Sequence, residues 1–312
     1  MFRLFPWLII LSSAFSFAQT AKKPPLEDSV ARAKKGIDLG ESGHCAEALP
    51  ALKRSLPRIS DSETKRKIGL TGVHCAMTLN DPNSAVDFLQ MLTRDFPEDP
   101  EVLYVAVHAY SDLSALTSQM LARNAPNSAQ AHELLAESYE TQGKWDEAEK
   151  EYRAILEHNP KLPGIHFRLG RLLLSKSNPG PAVADEAKRE MEQEIQIDPS
   201  NAGAEYVLGE LARQNQQWSE AISRFSQAAK LDPQFGEAFL GLGVSLISEK
   251  RYPDAIAPLE TAVRLEPRNP DAHYNLATAY TRAGRKQDAE KEFAIHRQLT
   301  ENAPAATPSS PQ

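Results

Sequence analysis

The chain has 312 residues, of which 41% are hydrophobic and 25% are charged, and its formal net charge is −7. These proportions are ordinary for a soluble globular protein. The negative balance excludes the basic footprint that a nucleic-acid-binding protein needs, and it offers no cationic surface to anionic lipid.

The first residues have the pattern of an export signal. Arg3 supplies a positive start, residues 4–17 are mostly apolar, and small residues up to Ala18 stand where a signal peptidase cuts. The apolar run of about 13 residues is shorter than the ~20 that a membrane-spanning helix needs. We therefore predict a cleaved signal peptide over residues 1–18, a periplasmic or secreted protein, and no membrane insertion after cleavage. The alternative is an uncleaved membrane anchor.

Residues 19–27 include a Pro-Pro pair and are predicted to be a linker. From residue 28 onward, apolar residues recur at helical spacing and nothing alternates as a strand, which predicts an all-α protein. Residues 28–128 contain three weakly patterned helical hairpins. They are predicted over residues 31–56, 63–96 and 100–124.

A strict period appears between residues 129 and 302. Pro126 and Pro160 are 34 residues apart, and so are the members of the series Pro199, Pro233 and Pro267. The interval from Pro160 to Pro199 is five residues longer, and a Pro/Gly/Ser loop over residues 175–181 accounts for the excess. Residues 303–312 are rich in Ala, Pro, Thr and Ser and are predicted to be a disordered tail.

Each segment places small residues where its two predicted helices meet and aromatic residues in the wider gaps. The small residues are Ala136, Gly170, Gly209, Gly243 and Ala277 in the first helices, and Ala148, Ala187, Ala221, Ala255 and Ala289 in the second. The aromatic residues are Tyr139, Tyr152, Phe225, Tyr280 and Phe293. A 34-residue helix–turn–helix unit with these positions resembles the tetratricopeptide repeat (TPR). The resemblance implies a right-handed superhelix, an α-solenoid of about eight hairpins of which the first three are degenerate.

The two cysteines are the most specific chemical feature. Cys45 and Cys75 each follow a histidine, and neighbouring hairpins could bring them together. An exported chain with an even number of cysteines favours a disulfide between them. Free buried thiols are one alternative. A zinc site formed with His44 and His74 is another, although the Cys-x-x-Cys spacing is missing.

Two short motifs resemble catalytic or cofactor-binding motifs, but neither is complete. His132-Glu133 begins like a zinc-protease helix, but Ala136 occupies the place of the second histidine. Gly241-Leu242-Gly243 begins like a dinucleotide loop, but no strand precedes it and no third glycine follows. We predict no catalytic residue, no cofactor and no metal, and therefore a protein that is not an enzyme.

The TPR resemblance implies that the first helix of each hairpin lines a concave groove. At helical spacing, each first helix would present one stripe of side chains there. The stripes are Glu133, Glu137 and Glu140; Phe167, Arg171 and Leu174; Tyr206, Glu210 and Arg213; Leu240, Val244 and Ile247; and Tyr274, Thr278 and Thr281, with Arg168 and Asn275 at their borders. Aromatic and arginine side chains dominate interface energetics. The predicted partner-binding residues are Phe167, Arg168, Arg171, Tyr206, Arg213, Tyr274 and Asn275. The alternative is that some of them fill spaces between hairpins.

Some TPR proteins grip a terminal carboxylate with a lysine and asparagine clamp. Here Glu133, Glu137, Leu240 and Val244 occupy its places, so that mode is not supported. The leading hypothesis is a non-catalytic scaffold of the cell envelope that binds a peptide or a partner helix of unknown identity. The alternative is an assembly or accessory factor of a secretion, pilus or envelope-polymer machinery that acts through homo-oligomers.

Overall fold

A computed structural model of the chain describes residues 26–176 and 180–301, and this part contains fifteen α-helices and no strand. The helices are α1 Leu26–Glu41, α2 Cys45–Ser55, α3 Ser62–Thr78, α4 Pro82–Asp95, α5 Pro100–Asn124, α6 Ala129–Thr141, α7 Trp145–His158, α8 Ile165–Ser175, α9 Pro181–Ile197, α10 Ala202–Gln214, α11 Trp218–Leu231, α12 Gly236–Ser248, α13 Tyr252–Leu265, α14 Pro270–Arg282 and α15 Lys286–Glu301. The predicted signal peptide, nearly all of the linker and the C-terminal tail lie outside the described residues.

The chain divides into two compact units, residues 1–120 and 121–312. In the first unit, α1 with α2 and α3 with α4 form the first two predicted hairpins. In the second unit, α6 to α15 form five hairpins in series. The described chain therefore has seven hairpins and one additional long helix.

The third predicted hairpin, over residues 100–124, is wrong. The structure has one continuous helix there, α5. The reason is local, because no glycine or proline occurs between residues 101 and 124. Serine and aspartate near the expected turn cost only a few tenths of a kcal/mol each within a helix. The two helices expected in this segment are therefore one helix, with no turn between them.

The core of the first unit is one continuous cluster of large side chains. Leu52, Ile68, Phe88 and Leu92 are fully or almost fully buried in it. The start of α5 adds Val102. A short 3-10 turn, Leu56–Arg58, follows α2. This unit therefore obtains its stability from bulky aliphatic and aromatic burial.

The second unit confirms the predicted close packing at the small residues, although the neighbour is an aromatic ring at Gly209 and an aliphatic side chain at Gly170 and Gly243. A Cβ atom added to Gly209 would lie 2.8 Å from the ring of Phe225, and one added to Gly170 would lie 2.7 Å from the terminal methyl of Met191. The small residues of the second helices are buried as expected. These are Ala148, Ala187, Ala221, Ala255 and Ala289. Glycine recurs at the helix crossings because a side chain would separate the helices.

Side-chain caps explain where the first helices begin. Ser128, Asn201 and Asn269 accept hydrogen bonds from backbone N–H groups at the starts of α6, α10 and α14. Such caps satisfy donors that an isolated helix end leaves unpaired. Two hairpin turns of the second unit use Gly143 and Gly284 with φ angles of 68° and 83°, the left-handed conformation that glycine favours, while Gln216 and Lys250 adopt positive φ in two others.

Candidate interaction groove

A recess of about 340 Å³ lies across three successive first helices, α10, α12 and α14. It is lined by Tyr206, Glu210, Arg213, Glu237, Leu240, Gly241, Val244, Asp271 and Asn275. Six of these come from the predicted groove stripes or their borders. The structure thus brings the stripe residues of α10 and α12 into one concavity, together with Asn275 of α14.

Arg213 is held in place within this recess. Its Nε and Nη2 atoms donate hydrogen bonds to the two carboxylate oxygens of Glu210, at 3.2 and 2.7 Å. The two-point contact fixes the plane of the guanidinium, which a single contact would leave free to rotate. Hydrogen bonding to Glu210 raises the pKa of Arg213 above its usual value. The side chain is positioned before any partner arrives.

Tyr206 forms a wall of the recess. Its ring centroid lies 4.8 Å from that of Phe235 and 5.7 Å from that of Phe225, in tilted aromatic contacts. Burial raises the pKa of its hydroxyl, and the negative charges of Glu210 and Glu237 raise it further. Tyr206 therefore packs against neighbouring aromatic rings and also borders the recess.

The three glutamates of the α6 stripe, Glu133, Glu137 and Glu140, have partners within the chain. Arg168 of α8 approaches Glu137 to 2.6 Å and Glu133 to 3.2 Å. The hydroxyl of Tyr152 donates to a carboxylate oxygen of Glu140 at 2.6 Å. Arg168, predicted to contact a partner, is thus engaged by intramolecular carboxylates.

Two other predicted anchors, Phe167 and Arg171, lie on α8. Phe167 packs against a buried cluster that contains Met191 and Leu208, and its ring would lie 2.8 Å from a Cβ atom on Gly203. The Arg171 guanidinium carbon stands 5.8 Å from the Phe167 ring centroid, within the range of a cation–π contact. Phe167 fills the space between hairpins, whereas Arg171 is exposed.

Tyr274 and Asn275 are neighbours in sequence, but they serve different surfaces. Asn275 borders the groove recess and donates from Nδ2 to the backbone oxygen of Asp271 at 2.8 Å. Tyr274 faces the rings of Phe293 and His296 on α15 and lines a separate hollow. Of these two residues, only Asn275 lines the recess.

The predicted disulfide is confirmed. Cys45 at the start of α2 and Cys75 in α3 are joined, with their Cα atoms 4.8 Å apart and both side chains buried. His44 and His74 are exposed and lie outside this bond. Within the described residues, no three His, Cys, Asp or Glu side chains are grouped so that they could hold a metal ion.

The sequence pattern did not reveal a series of pairs inside the hairpins, each formed by a basic and an acidic side chain. His132 and Glu151, and His273 and Glu292, approach to 2.6 Å across positions 19 residues apart. The hairpin with the inserted loop pairs His166 with Glu190 at the same distance, 24 residues apart. Two of these histidines also place Nε2 near the backbone oxygen of the proline that ends the preceding segment. The contacts are His166 to Pro160 and His273 to Pro267.

The hairpin of α10 and α11 has a similar pair, with the acidic residue on the first helix and the basic residue on the second. Glu205 of α10 accepts from Arg224 of α11 at 3.0 Å, again 19 residues apart. The 19-residue spacing shared by three of the four pairs was the available signal in the sequence. It explains why histidines recur at this first-helix position. They hold two helices together, and each ring is already engaged.

Glu194 is a further residue that the sequence pattern did not identify. Its side chain is fully buried and accepts from the backbone N–H of Gly164 at 2.8 and 3.0 Å and from that of Phe167 at 3.3 Å. Asn201 donates to it at 3.3 Å. Gly164 has no side chain with which to cap α8, so the carboxylate of α9 satisfies that helix end and meets its positive dipole.

Comparisons with known proteins agree with this architecture. Residues 121–172, 206–265 and 246–306 match models of the tetratricopeptide repeat. A comparison with curated protein sequences gave no match. No described helix is long and apolar enough to cross a membrane.

Among solved structures, the crystal structure of MamA protein is 20% identical to the chain, with a TM-score of 0.50. The match covers 58% of this chain and 98% of that one. MamA 41-end from Desulfovibrio magneticus RS-1 is 17% identical, covering 57% and 97%, with a TM-score of 0.50. YrrB, described as a TPR protein with an unusual peptide-binding site, is 18% identical, covering 60% and 93%, with a TM-score of 0.50. At such identities the likeness shows the fold, and it confirms the predicted α-solenoid.

Proposed function

Because the chain is a tetratricopeptide repeat protein, we propose that it is a non-catalytic scaffold of the cell envelope, which binds an extended peptide or a partner helix in the groove of its second unit. TPR proteins bind peptide or protein partners, and the fold supports a role as an interaction scaffold. The recess across α10, α12 and α14 carries the proposal. It combines aliphatic, aromatic and charged side chains in one concavity, which is the composition of a binding site.

The second support is the way in which polar groups are distributed. The buried histidines and Glu194 are engaged inside the hairpins, as described above, and Arg168 is paired with carboxylates of the preceding hairpin. Leu240 and Val244 remain partly exposed at the recess, where a bound chain could cover them. Of the residues predicted to contact a partner, Tyr206, Arg213 and Asn275 are the ones that this recess retains.

An envelope location rests on two observations. The first 18 residues have the composition of a cleaved export signal. The disulfide between Cys45 and Cys75 suits an oxidising compartment such as the periplasm. Fractionation of cells, with sequencing of the mature amino terminus, tests this part. A mature chain that begins near Gln19 supports it, and a chain retained in the cytoplasm with Met1 contradicts it.

In-cell crosslinking tests the groove. A photoreactive residue in place of Val244 should form covalent adducts with a partner, because Val244 lines the recess. The same residue in place of Ser226, which is exposed on α11, serves as the control. Adducts formed from Val244 alone support groove binding. Equal adducts at both positions, or adducts from Ser226 alone, contradict it.

One observation favours the alternative of an assembly factor that acts through oligomers. Helix α5 exposes an apolar stripe, with Leu103, Tyr104, Val107 and Tyr110 between 43% and 67% accessible. These residues lie at helical spacing on one side of α5. Light scattering of the wild type and of the double variant Tyr104→Lys and Val107→Lys tests this alternative. An oligomer that the double variant converts to a monomer supports it, and a monomeric wild type excludes it.

A further inference from the structure

The groove recess has a chemical character more specific than that of a general peptide site. Its floor is aliphatic, formed by Leu240 and Val244 of α12, and Tyr206 supplies an aromatic wall. Three carboxylates border it, one from each helix: Glu210, Glu237 and Asp271. A narrow apolar surface that ends among carboxylates matches a side chain with an aliphatic stem and a charged head.

The charges of the recess do not balance. Arg213 is the one cation among its lining residues, and it is already hydrogen-bonded to Glu210 through both carboxylate oxygens. Glu237 and Asp271 therefore give the lining an excess of two negative charges. Both side chains are exposed at the rim.

This imbalance discriminates between ligand classes. A carboxylate or phosphate group would be repelled by Glu237 and Asp271. A purely apolar side chain would cover the floor, but it would remove water from the rim carboxylates without giving them a partner. A cationic side chain can lay its methylene groups on Leu240 and Val244 while its head reaches the carboxylates. The ring of Tyr206 adds a face that attracts a cation.

We propose that the recess binds the side chain of a lysine or an arginine of an extended peptide partner. This proposal rests on the groove function above and assigns the chemistry of one subsite within it. The peptide backbone would pass over the first helices, and its basic residue would anchor it between α10 and α14. The raised pKa of Tyr206, caused by burial and then by Glu210 and Glu237, agrees with a negative potential at this place.

The experiment selects peptides from a phage-displayed library of random nonamers on the folded, full-length mature chain. Three variants are used in parallel. Val244→Arg blocks the recess, Glu237→Gln with Asp271→Asn removes its excess charge, and Glu157→Gln with Asp185→Asn makes the same charge change at exposed positions of α7 and α9. Circular dichroism verifies that each variant keeps the helical content of the wild type.

The expected result is enrichment of peptides with a lysine or arginine at one fixed position, lost in Val244→Arg. A synthetic peptide from this set should bind about tenfold more weakly to the Glu237→Gln, Asp271→Asn variant, since two exposed charge pairs are lost. The Glu157→Gln, Asp185→Asn control should bind it as tightly as the wild type does. Replacing the basic residue of the peptide with norleucine should weaken binding to the wild type by a similar factor.

Two other results overturn the proposal and differ in what they leave standing. If peptides bind in a Val244-dependent manner but show no basic position, or bind the charge-neutralised variant equally well, the cationic subsite is wrong and the groove function remains. If no enriched peptide depends on Val244, the groove function fails, and the subsite fails with it.

Discussion

The two units of this protein reach a packed helical core by different means. The first unit has one cluster of large side chains and a disulfide between α2 and α3. The core of the second unit consists of a series of smaller clusters, each shared by neighbouring helices. Pairs of a basic and an acidic residue recur within its hairpins, whereas glycines at helix crossings occur in both units. A regular repeat obtains its stability from many equivalent contacts, whereas a degenerate one depends on a few specific ones.

Removal of the disulfide should give the largest difference in stability between the two units. Closing a 30-residue loop stabilises a fold by about 3–4 kcal/mol in the chain-entropy view. For the double variant Cys45→Ala and Cys75→Ala, we expect a loss of this size in the first unit and none in the second. Hydrogen exchange, followed by mass spectrometry, reports the two units separately.

A reductant provides the control for this experiment. It should reproduce the loss in the wild type and have no effect on the cysteine-free variant. Unchanged protection of residues 28–120 in the variant would show that the bulky core suffices, and the contrast between the units would then disappear.

The variant Gly209→Leu should have the next largest effect, confined to the second unit. The crossing of α10 and α11 leaves no room for a side chain beside the ring of Phe225. Overpacking of a tight core costs about 3 kcal/mol at the upper end of its usual range. Thermal unfolding measures the loss. The control is Gln214→Leu, at an exposed position of the same helix, and a comparable loss there would refute the packing explanation.

Substitution of Glu194 tests whether the second unit also depends on a contact that does not recur in its other hairpins. Replacement by alanine leaves the first N–H groups of α8 without their acceptor, and we expect a loss of about 1–2 kcal/mol. Glu194→Gln keeps an acceptor oxygen and should lose less. Faster hydrogen exchange at residues 164–167 is the specific readout. Gln193→Ala, one exposed position earlier, should leave those amides protected.

Acid should weaken the first unit through a set of ion pairs at the ends of α3 and α4. Hydrogen bonds from Arg66, and then from the backbone of Val102, lower the pKa of Asp99 to about 2. Arg94, and then Lys65, lower that of Asp95 to about 2. Both values lie below the ordinary ~3.9 of an unfolded chain, so their contribution is complete above about pH 4 and is lost as the pH falls toward 2.

The measurement is urea unfolding at pH 5 and at pH 2.5, with hydrogen exchange to identify the unit. In the variant Asp99→Asn, the stability of the first unit should depend less on pH over this interval than in the wild type. This is the smallest of the four effects, because exposed ion pairs contribute little. An identical pH dependence in both proteins would assign the acid sensitivity to other carboxylates.

The hairpins of both units, except the one replaced by α5, were predictable from the sequence because helical spacing and turn glycines are local signals. The crossings at Gly170 and Gly209 were predictable for a related reason, since a strict period makes equivalent positions visible. The disulfide followed from an even cysteine number in a chain with an export signal.

Other features depend on contacts between residues that are far apart in sequence. Glu194 occupies a position that is Ile155 or Ala228 in neighbouring repeats, so periodicity alone predicts an apolar residue there. Its function becomes clear only when α8 is seen to lack a cap. Similarly, the sequence pattern indicates that Arg168 is available to a partner in the groove. Only the structure shows that it forms ion pairs with Glu133 and Glu137. Within the groove, the spacing predicted which residues of α10 and α12 share a face, but it did not predict which charges neutralise each other.

The histidine–glutamate pairs have a consequence for how such an array changes over generations. Each pair lies inside one hairpin, as do Glu205 and Arg224, in which the acidic residue is on the first helix. Duplication or loss of a whole hairpin therefore never leaves one of these side chains without its partner. The new junction then has to match in its apolar surfaces and in the ion pairs that cross from one hairpin to the next, such as that of Arg168 with Glu133 and Glu137. The reversed order of acid and base in one hairpin is compatible with this, since that pair is also completed within its own hairpin.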